Sequence, residues 1–155
     1  MNDVLSPILK SITVKKSPAD AFRLFTEGMA SWWPLQTHTC FDDEKSTCVF
    51  ECKTGGRIYE RSERTGKEAD WGRVIAWELG ARVLFLFRPG HFDPKSAGPW
   101  PEVEIRFTAQ GAGTRVDLEH RGWDKLPPGA KDVRAEYHSG WDIVFAGAFG
   151  DAANA

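Results

Sequence analysis

The apolar positions of this chain fall into short alternating runs and a few stripes at helical spacing. In residues 9–16, Ile12 and Val14 share one face, the period-two signature of a strand. Ser17-Pro18-Ala19-Asp20 then predicts a helix start. Ser17 can cap, Pro18 suits the first helical position because its missing N–H would have no partner there, and Asp20 sits at the positive end of the dipole. Ala21, Phe25, Met29 and Trp32 continue at steps of four or three. Gly28 divides that stripe into two short helices, and Pro34 ends it because it disfavours helical geometry at Trp33.

Residues 48–53 alternate as a strand, with Cys48, Phe50 and Cys52 on one face. Gly55-Gly56 turns the chain into a strand over 57–63, and Arg64-Thr65-Gly66-Lys67 turns it back into a strand over 70–78. After Leu79-Gly80-Ala81 comes a strand over 82–88 whose apolar stretch 83–87, centred on Phe85, has no polar face, so both of its sides are expected to be covered or to border a cavity. A proline-rich loop, 89–101, precedes two more strands, 102–109 and 114–123. In the second, Val116, Leu118 and His120 share a face. The longest helical pattern follows over 130–150, with Val133, Tyr137, Trp141, Val144, Phe145 and Ala148 on one stripe. Gly140 and Gly147 interrupt it and are expected where something packs close alongside, while 152–155 are expected to fray. Strand, two short helices, about six to seven antiparallel strands and one long C-terminal helix make an α+β domain. We expect a curved sheet gripping that helix, as a single domain over 1–155.

Composition sharpens this picture in two ways. Twenty basic against 22 acidic side chains leave a net charge of −2, which removes an electrostatic case for nucleic acid or an anionic membrane surface. No apolar run approaches the roughly 18 residues of a spanning helix. Residues 1–11 lack the charged-then-apolar pattern of a secretion signal, so the three cysteines are expected as reduced thiols in a cytoplasm. The unusual feature is aromatic: seven Trp and ten Phe in 155 residues exceed what a core of this size needs and suggest a pocket lined with rings.

The order of elements resembles the START-like SRPBCC superfamily of helix-grip proteins, in particular the bacterial branch named after the activator of the heat-shock chaperone ATPase. Trp32-Trp33-Pro34, Gly55-Gly56-Arg57-Ile58-Tyr59-Glu60 and the run from Asp70-Trp71-Gly72-Arg73 to Ala76-Trp77-Glu78 carry the resemblance. So do Glu119-His120-Arg121-Gly122-Trp123 and His138-Ser139-Gly140-Trp141. It spans nearly the whole chain and implies the helix-grip fold. It does not choose a role, since the superfamily holds lipid carriers, polyketide cyclases and aromatases, and hormone binders.

Period-two counting places His120 toward the helix, where burial would lower its pKa and leave a neutral base, a hydrogen-bond donor, or a structural histidine bonded to backbone. Glu60 shares a face with Ile58. Either that face is interior and Glu60 is an acid in an aromatic pocket, or Tyr59 points inward and Glu60 pairs with Arg57 or Arg61. Arg73 either binds a ligand carboxylate or stacks on Trp71. His38, Cys40, Cys48 and Cys52 do not read as a zinc site: in an extended strand, Cys48 and Cys52 lie about 13 Å apart, beyond one tetrahedral ion. Neither a phosphate-cradling glycine loop nor a nucleophile elbow is present in the sequence, and no cofactor is expected.

The sequence therefore supports three functions. The first is a cytoplasmic binding module, monomer or homodimer, for a small apolar or aromatic molecule walled by Trp32, Trp33, Trp71, Trp77, Phe85, Tyr137 and Trp141, with His120 at a polar end. The second is an enzyme of the cyclase, aromatase or hydrolase kind using His120 and Glu60. The third is a protein-interaction role like that of the chaperone activators, through Trp100 and its loop.

Overall fold

The computed structural model describes residues 5–41 and 45–155; residues 1–4, part of the stretch read above for a secretion signal, and 42–44 lie outside it. Strand β1 (Ile8–Val14) is followed by helices α1 (Pro18–Phe25) and α2 (Met29–Trp32). The Asp20 N–H donates to Ser17 Oγ at 3.2 Å, and Pro18 occupies the first turn. Six further strands follow: β2 (Ser46–Phe50), β3 (Arg57–Ser62), β4 (Glu68–Glu78), β5 (Arg82–Phe87), β6 (Glu102–Gln110) and β7 (Gly113–Arg121). The sheet is antiparallel with order β1-β7-β6-β5-β4-β3-β2. It curls around a C-terminal helix made of α3 (Ala130–Trp141), a π-helical stretch (Asp142–Phe149) and α4 (Gly150–Asn154). This is the helix-grip α+β fold.

Rings fill the concave side of the sheet. Phe22 of α1 meets Trp77 at 4.8 Å and Phe107 at 5.2 Å, and Phe25 meets Phe149 at 5.2 Å and Trp32 at 5.3 Å. Each buried ring contributes about 4–6 kcal/mol of gross transfer energy, an upper bound because the unfolded chain already hides part of that surface. The helix presents Tyr137, Trp141, Phe145, Phe149 and Ala153 to this core, a spacing of four. At 3.6 residues per turn, each step of four overshoots by about 40°. The π stretch, with its i→i+5 bonding, turns less per residue and keeps Phe145 and Phe149 over the sheet.

Two irregularities in β4 decide which side chains point inward. Pairing with β3 skips Trp71, passing from Ile58↔Gly72 to Tyr59↔Asp70. Pairing with β5 skips Ile75, passing from Val74↔Phe85 to Ala76↔Leu84. Each skip is a bulge that reverses the inside–outside count, so Trp71, Val74 and Trp77 all reach the interior while Ile75 is exposed.

Several expectations need correction. The strand predicted over 48–53 stops at Phe50, and Cys52 lies exposed beyond it, its Sγ 3.3 Å from the Phe50 carbonyl. The strand predicted to reach Trp123 stops at Arg121, because Gly122 turns left-handed at φ 95° and starts a 3₁₀ turn that buries Trp123. The 83–87 stretch is not covered on both sides: Val83, Phe85 and Phe87 are buried, whereas Leu84 and Leu86 are half-buried on the outer face. The last residues do not fray as expected, since Asn154 accepts the Lys15 N–H at 2.8 Å and Ala153 is buried.

The convex face carries its own charge clusters. Glu104 is only 3% exposed and is bonded by Arg82, by Arg121 at 2.8 Å and by Arg106 at 3.1 Å. Burial pushes its pKa up, but the Arg121 and Arg82 bonds and the Arg106 charge outweigh this and hold it at about 2. Tyr59 is buried on this same face beneath the Arg57 guanidinium, 4.1 Å from the ring centre.

Candidate functional site

One end of the space between sheet and helix is not filled. A cavity of about 230 Å³ lies there, bounded by Trp33 after α2, Trp71 of β4, Phe87 of β5, and Tyr137, Gly140, Trp141 and Val144 of the C-terminal helix. Trp33 and Trp71 meet at 4.7 Å, Trp33 and Trp141 at 6.3 Å, and Phe87 stacks on Trp141 at 5.6 Å. Gly140 was expected where a neighbour packs close, yet a Cβ placed there would meet nothing within 4 Å. The glycine leaves room at the cavity wall instead.

The opposite wall is the loop Thr37-His38-Thr39-Cys40. Trp33 Nε1 donates to the His38 carbonyl at 3.0 Å, and the Thr37 hydroxyl meets His38 Nδ1 at 2.8 Å. Burial lowers the His38 pKa. Glu60 holds this loop from below. It faces inward with Ile58 and Ser62, completely buried, and its carboxylate accepts from the Thr39 and Ser46 hydroxyls and from the Cys40 N–H at 2.8 Å. Tyr59 is also buried, so the sequence alternatives, Glu60 inward or Tyr59 inward, resolve through the arginine cover on the outer side. Glu60 is absent from the cavity wall; it fixes the residues that form it. Opposite Glu60 across the β2–β3 pair, Cys48 has its thiol pKa pushed up to about 12 by burial and by the Glu60 charge, so it stays protonated.

His120 lies one layer behind the wall, boxed by Trp123 at 4.5 Å, Tyr137 at 5.1 Å and Trp141 at 5.9 Å. An indole N–H can only donate, so the Trp141 Nε1 contact of 2.9 Å makes Nδ1 the accepting nitrogen and leaves the proton on Nε2. Burial, then the Arg134 and Arg88 charges, bring its pKa down to about 3, and the imidazole is neutral at physiological pH. Its Nε2 has no hydrogen-bond partner among the described residues. Tyr137 is likewise kept neutral: burial raises its pKa, against the nearby Arg88 guanidinium.

Of the side chains singled out from the sequence, Trp33, Trp71, Tyr137 and Trp141 meet at the cavity, with His120 behind them. Trp32 packs on Phe149 and donates to the Leu24 carbonyl at 2.7 Å, Phe85 packs on Phe50 and Phe25, and Trp77 sits under α1. Arg73 stands opposite Leu86 on the outer face, away from the cavity. Sequence reasoning missed the Thr37–Cys40 loop, Phe87 as a wall and the space at Gly140. The polar Thr-His-Thr run after Pro34 and a glycine beside Trp141 were the available signals. Among the described residues, no group of three or more His, Cys, Asp or Glu could hold a metal ion, and no helix is long and apolar enough to cross a membrane.

Comparison with known proteins gives a consistent picture. Residues 15–147 match the family described as Activator of Hsp90 ATPase homolog 1-like protein. No curated protein matches the chain. Among solved structures, the chain is similar to an anthrahydroquino-gamma-pyrone synthase, Txn09, complexed with SUM, at 29% identity and TM-score 0.66, covering 95% of this chain and 96% of that one. Protein MLL2253 from Mesorhizobium loti aligns at 17% identity and TM-score 0.65, covering 92% of this chain and 93% of that one. The Aha1 dimer from Colwellia psychrerythraea aligns at 18% identity and TM-score 0.56, covering 92% of this chain and 98% of that one. At such identities the last two share the fold alone.

Proposed function

The chain belongs to the Activator of Hsp90 ATPase homolog 1-like protein family, and within it we propose that this member binds a small aromatic molecule in the cavity between sheet and C-terminal helix. The observation that carries the proposal is the wall itself: Trp33, Trp71, Phe87 and Trp141 surround about 230 Å³ that the fold leaves open. Small-molecule sites are concave, mostly apolar and carry a few placed polar groups. An apolar cavity of about 150 Å³ admits benzene, so this one suits a substituted ring or two fused rings.

A second reading, a cyclase-type enzyme, is favoured by the 29% identity to a synthase. On that reading His120 and Glu60 are the acid–base candidates. Their geometry gives the binding reading more support, because the lone pair of His120 Nδ1 is spent on Trp141 and the Glu60 oxygens already take three donors. Catalysis here would come from holding a reactive substrate in shape, a contribution that needs no free base. The interaction surface expected at Trp100 has less to support it, since that ring is half-buried on Phe92 at 5.1 Å and donates to the Ser96 carbonyl. Three cysteines outside any disulfide fit a reducing cytoplasm.

The test is native mass spectrometry of protein gently purified from its own source, compared with the denatured mass. We expect a discrete extra mass, lost on denaturation and aromatic on extraction. A clean ligand-free mass, together with no calorimetric heat from a panel of one- and two-ring aromatics at millimolar concentration, would overturn the proposal.

A further inference from the structure

One residue of the cavity wall carries a buried polar group that has no hydrogen-bond partner among the described residues. Five of the seven indole N–H groups find protein acceptors: Trp32 on the Leu24 carbonyl, Trp33 on that of His38, Trp100 on that of Ser96, Trp123 on that of His120, and Trp141 on His120 Nδ1, while Trp77 is only half-buried. Trp71 differs. It is 1% exposed, it lines the cavity, and its buried Nε1–H has no partner among the described residues. A buried donor without an acceptor is among the costlier defects a fold can carry. The β4 bulge that skips Trp71 in the pairing with β3 is what brings this indole to the wall.

The neighbouring polar groups are engaged. The Thr39 hydroxyl donates to Glu60 and the Thr37 hydroxyl meets His38. His120 Nε2, the other unpaired buried nitrogen, is enclosed by rings behind the wall. No Lys or Arg is among the lining residues, and the Arg88 guanidinium behind the wall bonds the Tyr137 hydroxyl, so no cation faces a buried carboxylate or phosphate directly.

Resting on the reading that the cavity holds an aromatic ring, we infer that its ligand is a neutral aromatic carbonyl compound, a ring ketone or quinone, whose oxygen accepts the Trp71 Nε1–H. An indole only donates, so its partner must be an acceptor. The absence of countercharge in the wall makes that acceptor neutral, and the ring wall makes its carrier flat.

Titration calorimetry with indane and 1-indanone tests this, because the two share a ring skeleton and differ by one carbonyl. Indane is the more apolar, so burial alone favours it. We expect 1-indanone to bind about tenfold more tightly to the wild-type protein, with the preference reduced to near unity in Trp71→Phe. Should Trp71→Phe not fold, the assigned Trp71 indole proton resonance of the wild type takes its place, shifting downfield with 1-indanone and not with indane. Equal binding of the pair would overturn the inference and leave ring binding intact. Failure of both compounds to bind would overturn the two together. A carbonyl preference that survives in Trp71→Phe, or an unmoved Trp71 resonance, would remove Trp71 as the donor.

Discussion

Gly140 offers the sharpest separation of stability from binding. It lies within a continuous helix that runs from Ala130 to Asn154, and a Cβ there meets no atom within 4 Å outside its own turn. Glycine in a helix interior costs about 1 kcal/mol relative to alanine, largely through the freedom it has when unfolded. Gly140→Ala therefore gains close to that full amount, about 1 kcal/mol, because no clash offsets it. For a chain of this length, that is about 3 °C in Tm. Gly140→Leu keeps most of the helical gain but sends its branched end into the cavity. We expect it to fold at least as stably as wild type while binding a one- or two-ring aromatic on the order of tenfold or more weakly. Thermal melts followed by circular dichroism and calorimetric titration of the three proteins measure both quantities. A lower Tm for Gly140→Ala would mean that the helix has a close neighbour there. Unchanged ring affinity in Gly140→Leu would move the binding site away from this cavity.

Two further predictions concern the groups behind the wall. The folded pKa of His120 is about 3 against an ordinary 6.5, so the unfolded chain takes up this proton first. Its contribution to stability is complete above about pH 6.5 and falls by up to about 1.4 kcal/mol per unit as pH drops toward 3. Urea unfolding at pH 7.5 and pH 5 should show a larger loss for wild type than for His120→Asn, and equal losses contradict a buried neutral imidazole. Glu60→Ala removes the acceptor of Thr39, Ser46 and Cys40. It should cost about 2 kcal/mol, speed hydrogen exchange at the Cys40 N–H and weaken ring binding; an unchanged exchange rate would show that the loop does not depend on the carboxylate.

The elements were legible because local chemistry marks them. Ser17-Pro18 announces α1, glycine-bearing turns divide the strands, and a long apolar stripe announces the last helix. Period-two counting also placed His120 inward correctly, since β7 pairs with β1 and β6 without a register shift. β4 was harder. Its two bulges leave no trace in composition, and simple alternation cannot tell that Trp71 reaches the cavity while Trp77 lies under α1. Glu60 and Tyr59 could not be separated because both are buried, one by the loop and one by the arginines outside. The Thr37–Cys40 wall was illegible for a different reason: a loop's position follows from a carboxylate 20 residues further along the chain.

The π stretch has a consequence for how the cavity is aimed. Tyr137, Gly140 and Trp141 sit before it, while Phe149, its last residue, and Ala153 beyond it anchor the helix to the core. Removing one residue between them would rotate the two halves against each other by about 100°. With the anchor held fixed, the indole of Trp141 would swing off its neighbours though no side chain had changed. The helix thus works as a key with two bits cut at a set angle, and what sets that angle is the number of residues between them.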